Sequence, residues 1–346
     1  MNLYKYFFLL VISSSTNSIF SQGDSLPYEM YKEKVVLYTD FGYTSAPFSI
    51  SNNFPFGVKE LKYRNNYKGV IGYGMCYKWF SLRLFHALEG DSKSEEKYGK
   101  TRYSGFGFTF NVKKSYWDVD FRTFKGYSIL KAESWNSALS KDQPNLIRPA
   151  TKSVGFSINT WYFFNKNFKM QAVLGKKAHF TREVKSWYLK STFNAYGISN
   201  DTIGAPSVIP TILTDPNNSK TLSNSFSAVD FGVIPGYAYA TRKNNWQVSG
   251  LFGLGAVIQS KQYIVNGSPR AFIGLAPRYD VRLVGGYSVP RYFVFLVTDI
   301  DNKSIRFNQL VYRQSFYSIK LLAGIRLNTK GEKEEKKKKE KKKLFS

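Results

Sequence analysis

Polar and apolar positions alternate with a period of two through most of this chain after residue 34. The alternating segments are 34–44, 69–78, 80–89, 101–112, 115–129, 151–164, 167–180, 226–241, 246–259, 270–288, 291–302 and 311–328. Period two marks a strand, because successive side chains leave opposite faces of the backbone. Five junctions between segments are short and edged by aromatics: Tyr77–Phe80, Val112–Trp117, Phe163–Phe168, Arg242–Trp246 and Val289–Tyr292. Strands that alternate in this way, joined by short turns with aromatics at their ends, predict a transmembrane up-and-down antiparallel β-barrel of 12 strands spanning 34–328.

The alternation also assigns faces. Phe106, Phe108 and Phe110 oppose Gly105, Gly107 and Thr109, and Trp117, Val119 and Phe121 oppose Asp118, Asp120 and Arg122. Leu275, Tyr279, Val281 and Leu283 oppose Ala276, Arg278, Asp280 and Arg282, while Ile319, Leu321 and Ile325 oppose Lys320 and Arg326. A Lys or Arg on the lipid face near the bilayer midplane costs roughly 2–4 kcal/mol. The charged faces are therefore expected to line the lumen, with Lys169 and Lys177 on segment 167–180 added to that set. Trp79, Phe80, Trp117, Phe164, Phe168, Trp246 and Tyr292 are expected at the membrane interface. Glycines on the polar faces, including Gly105, Gly107, Gly155, Gly175, Gly232 and Gly253, fit either tight wall curvature or an internal cavity.

If the first strand runs outward, all five aromatic turns lie on the periplasmic side and every longer connection is extracellular. The segment Trp187–Tyr196 also alternates. Counting it as a thirteenth span would reverse every later turn, so it is assigned to a long outer loop, 181–225.

The ends of the chain read differently. Lys5, the apolar run Tyr6–Ile12 and the small polar stretch Ser13–Ser21 make a signal peptide, 1–21, with cleavage expected near Ser21–Gln22 and export through the Sec pathway. Residues 22–33 then form a periplasmic N-terminal segment. The longest later apolar run, Tyr292–Val297, is six residues, far short of the roughly 20 that a membrane helix needs. The tail 329–346 carries nine Lys and four Glu without alternation, the composition of a solvated, disordered periplasmic segment.

The chain has 50 basic and 24 acidic residues, a net charge of +26. Nucleic acid is not expected as a partner, because the chain is exported and its basic residues are spread over turns and strands. Outer-membrane lipid and lipopolysaccharide are the expected anionic partners, with the barrel assembly machinery as a partner in biogenesis.

Little of the sequence suggests catalysis. Cys76, the single cysteine, can form no internal disulfide and reads as a small strand residue beside Gly72 and Gly74. His86 shares the lipid face with Leu82 and Leu84. His179, with Lys169, Gln171 and Lys177, is the one weak candidate base, and spacing places no nucleophile beside it. No zinc cluster is available, and no metal or cofactor is expected. Asp299-Ile300-Asp301-Asn302 offers oxygens that could meet Ca²⁺, but it lacks the later ligands and reads as a turn.

Several motifs occur in order: Leu61-Lys62-Tyr63-Arg64-Asn65-Asn66, Gly69–Gly74, Tyr77-Lys78-Trp79-Phe80-Ser81, Tyr98-Gly99-Lys100-Thr101, Asp118-Val119-Asp120-Phe121, Lys125-Gly126-Tyr127 and Gly324-Ile325-Arg326-Leu327. Together they resemble a family of Bacteroidota outer-membrane proteins catalogued only as a domain of unknown function. The likeness covers nearly all of 30–328. Asn65 stands where family members commonly carry Pro, and Leu327 stands where they tend to carry a terminal aromatic. The resemblance implies location and architecture and no catalytic residues. The functional expectation is a narrow pore or transport barrel for small solutes. The alternatives are a plugged structural or interaction barrel and a lipid-modifying barrel enzyme.

Overall fold

The alternating segments fold as antiparallel strands that close on themselves. This computed structural model describes residues 26–329 except 32, 91, 113–114 and 201–206; the expected leader, 1–21, and the tail beyond Thr329 lie outside the described residues. Among those described are sixteen strands. In chain order they are β1 (Tyr28–Met30), β2 (Val35–Ser45), β3 (Phe48–Ser51), β4 (Glu60–Arg64), β5 (Val70–Tyr77), β6 (Phe80–Ala87), β7 (Arg102–Val112) and β8 (Ser115–Ile129). There follow β9 (Leu146–Phe163), β10 (Ala178–Phe180), β11 (Val184–Asn200), β12 (Ser225–Lys243), β13 (Trp246–Val265), β14 (Ser268–Ser288), β15 (Tyr292–Arg306) and β16 (Val311–Leu327).

Twelve of these form a ring in the order β2-β5-β6-β7-β8-β9-β11-β12-β13-β14-β15-β16, and β16 returns to pair with β2 from Leu327↔Val35 to Tyr317↔Ser45. The turns β5–β6, β7–β8, β12–β13 and β14–β15 gather at one end of the barrel, here the turn end, from which segment 164–183 also leaves; the other, the loop end, carries the connections 46–69, 88–101, 130–145 and 201–224, together with two short ones, 266–267 and 307–310, where longer loops were expected. Closure removes every sheet edge at the level of the bilayer, which is what allows strands to cross lipid. The outward face is a belt of exposed apolar side chains, among them Phe41, Leu84, Phe231, Phe252 and Leu321, each more than half exposed. A belt of this extent belongs in lipid. Trp79, Phe164, Trp246 and Tyr292 stand exposed at the turn end, and Trp117 and Phe80 are half-buried there, on the outward face.

Two expectations require correction. Segment 167–180 is no barrel strand. It folds as a one-turn helix, Met170–Val173, followed by β10, and Phe168, Met170, Ala172, Val173, Ala178 and Phe180 are all buried. With apolar residues on both faces it has no lipid–lumen polarity, and Gly175 at φ +65° breaks the extended backbone. Phe168 is therefore a core residue and not an interface aromatic, and Lys169 and Lys177 sit on this inserted segment and not on the wall. The missing span is β11, which the sequence had placed in loop 181–225. It alternates without a break for 17 residues and pairs with both β9 and β12. The two assignments exchange, so the strand count stands and every later strand keeps its expected direction relative to the first. The loop shrinks to 201–224, and Trp187, 60% exposed beside Phe164, joins the turn-end aromatics.

At the loop end the wall narrows. β3 continues from β2 along β16, pairing Gln314↔Phe48 to Val311↔Ser51, and β4 then crosses to β8 at Tyr63↔Ile129. This hairpin bypasses β5, β6 and β7. A bulge in β8 between Lys125 and Tyr127 makes the crossing possible. Gly126 occupies it at φ +92°, where a Cβ would meet the Lys100 carbonyl oxygen at 2.1 Å. β15 likewise leaves β14 above Asp280↔Asp301 and leans inward. Its freed carbonyls accept from side chains instead: Asn302 O from Arg278 (2.6 Å), Ser304 O from Gln259 (2.9 Å), and Arg306 O from Lys261.

Candidate functional site

The lumen is where this chain concentrates its buried polar chemistry, and it is filled in three layers. At the turn end lies the inserted segment 164–183, joined by β1, which pairs with β10 from Tyr28↔Phe180 to Met30↔Ala178. Phe163, Phe168, Phe180, Phe293, Phe295, Tyr188 and Leu251 form one buried cluster around it. Two polar side chains of the wall hold it in place. Gln247 on β13 accepts from Phe180 N (3.0 Å) and donates to Ala172 O (2.8 Å). Arg326 on β16 donates to Lys176 O (2.8 Å) and to Gly175 O on the inserted segment, and to Val289 O and Tyr292 O (3.2 Å) on the β14–β15 turn. Its guanidinium also lies over the rings of Tyr31 (4.3 Å) and Phe293 (4.8 Å). A planar cation with several donors suits a site built of carbonyls and ring faces.

The middle layer is ionic. Arg83 on β6 binds Asp40 on β2 with two 2.6 Å hydrogen bonds, and Arg282 on β14 binds Asp299 on β15 at 2.6 Å. Arg122 pairs with Asp120 on its own strand, Arg278 with Asp230, and Lys190 meets Asp280 at 3.2 Å without hydrogen-bond alignment. Contacts also cross the lumen: Arg122 stacks on Phe316 at 3.8 Å, and Gln314 donates to Ser153 at 3.0 Å. Charges removed from bulk water persist when paired in this way. Cavities of about 110 and 90 Å³ lie among them, and both border Asp118, Asp120, Arg122, Arg282 and Asp299. Lys176 and Lys320 line the first, and Asp301 and Lys303 the second. Each has room for several waters.

The third layer, at the loop end, is aromatic. Phe48 stacks on Tyr63 (4.3 Å) and meets Tyr127 (4.9 Å) edge-on, and Tyr103 stacks on Phe124 (4.3 Å). Phe307 from the leaning β15–β16 hairpin packs on Tyr263 (5.2 Å). Tyr63 donates to Val208 O (2.7 Å), and Val208, Ile209 and Leu213 of the 201–224 loop are fully buried. The long loops thus fold over the mouth.

The sequence placed Asp118, Asp120, Arg122, Arg278, Asp280, Arg282, Lys320 and Arg326 on the lumen face, and the structure brings all eight there. It adds Asp40, Arg83, Lys190, Asp230, Asp299, Asp301 and Lys303 on the wall and Lys176 on the insert. Asp299 and Asp301 belong to a strand and not to a turn. Their parity was hidden because Phe293, Phe295 and Val297 make the inward face of β15 as apolar as its outward face. Several lumen glycines make room for aromatic rings. A Cβ at Gly74 would lie 2.1 Å from the Tyr38 ring, and one at Gly236 would lie 2.2 Å from that of Tyr188. Gly107 and Gly155 instead face the charged layer, next to Asp120 and Lys303.

His179, the candidate base, lies in the insert. Its Nδ1 is 2.6 Å from the Tyr31 hydroxyl, and its Nε2 is 3.5 Å from Glu29. Burial, reinforced by the cations of Arg242 and Arg326, holds its pKa down to about 4, and burial pushes that of Tyr31 up to about 12. A neutral histidine bonded to an un-ionised phenol is a structural pair and lacks a placed nucleophile. His86 faces outward, as expected.

The arrangement is similar to that of several solved outer-membrane structures. They include the outer-membrane protease OmpT from Escherichia coli (TM-score 0.39, 8% identity, 86% of this chain and 98% of that one). The β domain of the Bordetella autotransporter BrkA gives 0.36 with 11% identity over 86% and 100%. The Pseudomonas putida toluene transporter TodX gives 0.29 with 9% identity over 86% and 90%. No curated protein matches the sequence. The model of a family described as a domain of unknown function (DUF4421) matches residues 22–327. The motifs of the strands and the ring they build thus meet in one conclusion: the chain belongs to the DUF4421 family.

Proposed function

We propose that this protein is an outer-membrane barrel whose lumen is closed at rest, and that it acts through its outer surfaces and loops as a structural or interaction barrel. The observation that carries this reading is the anchored insert: Arg326 and Gln247 bind segment 164–183 by its backbone, and a paired ionic layer and an aromatic layer lie beyond it. A route for solutes would have to displace all three. The reading takes the chain as a Bacteroidota protein on the strength of its ordered motifs, and places its turn end in the periplasm because both ends of the barrel and four of its short turns lie there. The test is solute entry into proteoliposomes. Swelling rates with small sugars and amino acids are expected to match those of empty vesicles, and size-dependent entry would overturn the reading.

A second reading rests on the two adjoining cavities in the charged layer. A transport barrel for small solutes would use them as a mid-membrane station, reached when the insert withdraws. It predicts size-selective entry in a variant lacking 165–180 and a solute preference that changes when Lys320 or Asp118 is replaced.

A further inference from the structure

The outward face of β7, β8 and β9 carries a feature that closure of the lumen does not use. Arg102 pairs with Lys125, and Lys125 pairs with Lys152, so three cations stand side by side on adjacent strands. All three belong to the outward set: Arg102 and Lys125 are exposed and Lys152 is half-buried. Directly opposed cross-strand residues have Cβ atoms only about 4.5–5.5 Å apart, and like charges at that spacing repel. No acidic residue lies on the outward face of these three strands, and no described ion pair involves Arg102, Lys125 or Lys152. Among the described residues the row is thus a concentration of positive charge without a protein counter-ion.

Its position is informative. The next outward row towards the turn end is Ser104–Thr123–Val154, and the one after it is Phe106–Phe121–Phe156, with Phe106 and Phe121 stacked at 5.6 Å. The cations therefore cap an apolar surface on the loop side, at the height where the β8 bulge turns the wall inward. The same hydrogen-bonding row continued around the barrel reads Ser199, Ser225, Ile264 and Pro269. A general attraction to an anionic surface would need no such asymmetry.

We propose that Arg102, Lys125 and Lys152 form a binding site for a phosphorylated glycolipid of the lipid A type, its phosphate bridging the three cations and its acyl chains lying along Phe106, Phe121 and Phe156. Arg102 supplies a guanidinium fork and the lysines point charges, the usual chemistry of phosphate recognition. The site rests on the proposed outer-membrane placement, since the loop end must face the leaflet that holds such a lipid.

The test is native mass spectrometry of the detergent-solubilised barrel titrated with diphosphorylated lipid A. The readout is independent of whether the lumen conducts, so failure here and failure of the closed-barrel reading can be told apart. Each cation near an anionic lipid is worth about fivefold, so R102Q/K125Q/K152Q is expected to bind roughly 100-fold more weakly, while K243Q at the turn end binds as the parent does. Heat-modifiable migration verifies that each variant is folded. Equal binding by the triple variant would overturn the proposal. A measurement on the parent needs no variant: dephosphorylated lipid A or phosphatidylglycerol binding as tightly, or inorganic phosphate displacing lipid A at equal concentration, would also overturn it.

Discussion

Replacing Arg326 tests the closure at its anchor. Arg326→Met keeps much of the side-chain volume and the contact with Phe293 but removes every donor. Two of the lost bonds, to Gly175 O and Lys176 O, join the wall to the insert. A hydrogen bond to a charged group contributes roughly 1.5–3 kcal/mol, so docking of the insert should weaken by about 3–6 kcal/mol, or roughly 10²–10⁴-fold in its opening equilibrium. Hydrogen exchange read by mass spectrometry on peptides covering 170–180 measures this directly, because local opening exposes those amides. Exchange there should accelerate by at least a hundredfold, while that of β12 and β13 stays as in the parent. Arg326→Lys should fall between the two, since an ammonium has only three donors for four carbonyls. If 170–180 exchanges within threefold of the parent rate in Arg326→Met, the insert is held by apolar packing and the assigned role of Arg326 is wrong.

Other expectations follow from single contacts. Arg282→Gln leaves the half-buried Asp299 without its arginine and should cost about 1.5–3 kcal/mol, lowering the temperature at which gel mobility changes; Arg282→Met with Asp299→Leu should recover most of that loss. Gly236→Val would force the Tyr188 ring from its place and should destabilise by at least about 1–3 kcal/mol, visible as slower refolding into detergent and earlier melting. The pKa of His179 lies near 4 in the fold, below its ordinary 6.5. As pH falls, the unfolded insert therefore takes up the proton first, so docking is at full strength above about pH 6.5 and weakens towards pH 4. Exchange of 170–180 should accelerate across that window, and His179→Gln should flatten the dependence.

The architecture could be read from the sequence because lipid enforces strict alternation. A misplaced charge on Leu321 or Val281 would be costly, so the faces of β14 and β16 are written plainly. The insert was not legible. Phe168, Met170 and Ala172 alternate with Lys169 and Gln171 as a strand would, and only the tertiary setting shows that both faces are covered. The error left the strand count intact because β11 replaced the lost span. Half of the ionic layer was equally hidden. Asp40 and Arg83 are single charges on β2 and β6, and neither strand repeats a charge that would reveal its parity. The partner of Asp299, Arg282, lies on the neighbouring strand, and its assignment needed the register. The cationic row on β7, β8 and β9 likewise exists only in the pairing, because Arg102, Lys125 and Lys152 are scattered along the chain.

The central claim is that the barrel is closed at rest, and single-channel recording of the refolded protein in a planar bilayer tests it most directly. Barrels shown by heat-modifiable migration to be folded should insert and remain electrically silent at moderate voltage. Discrete, stable conductance steps from the unmodified protein would contradict the account and return the charged layer to the role of a selectivity filter.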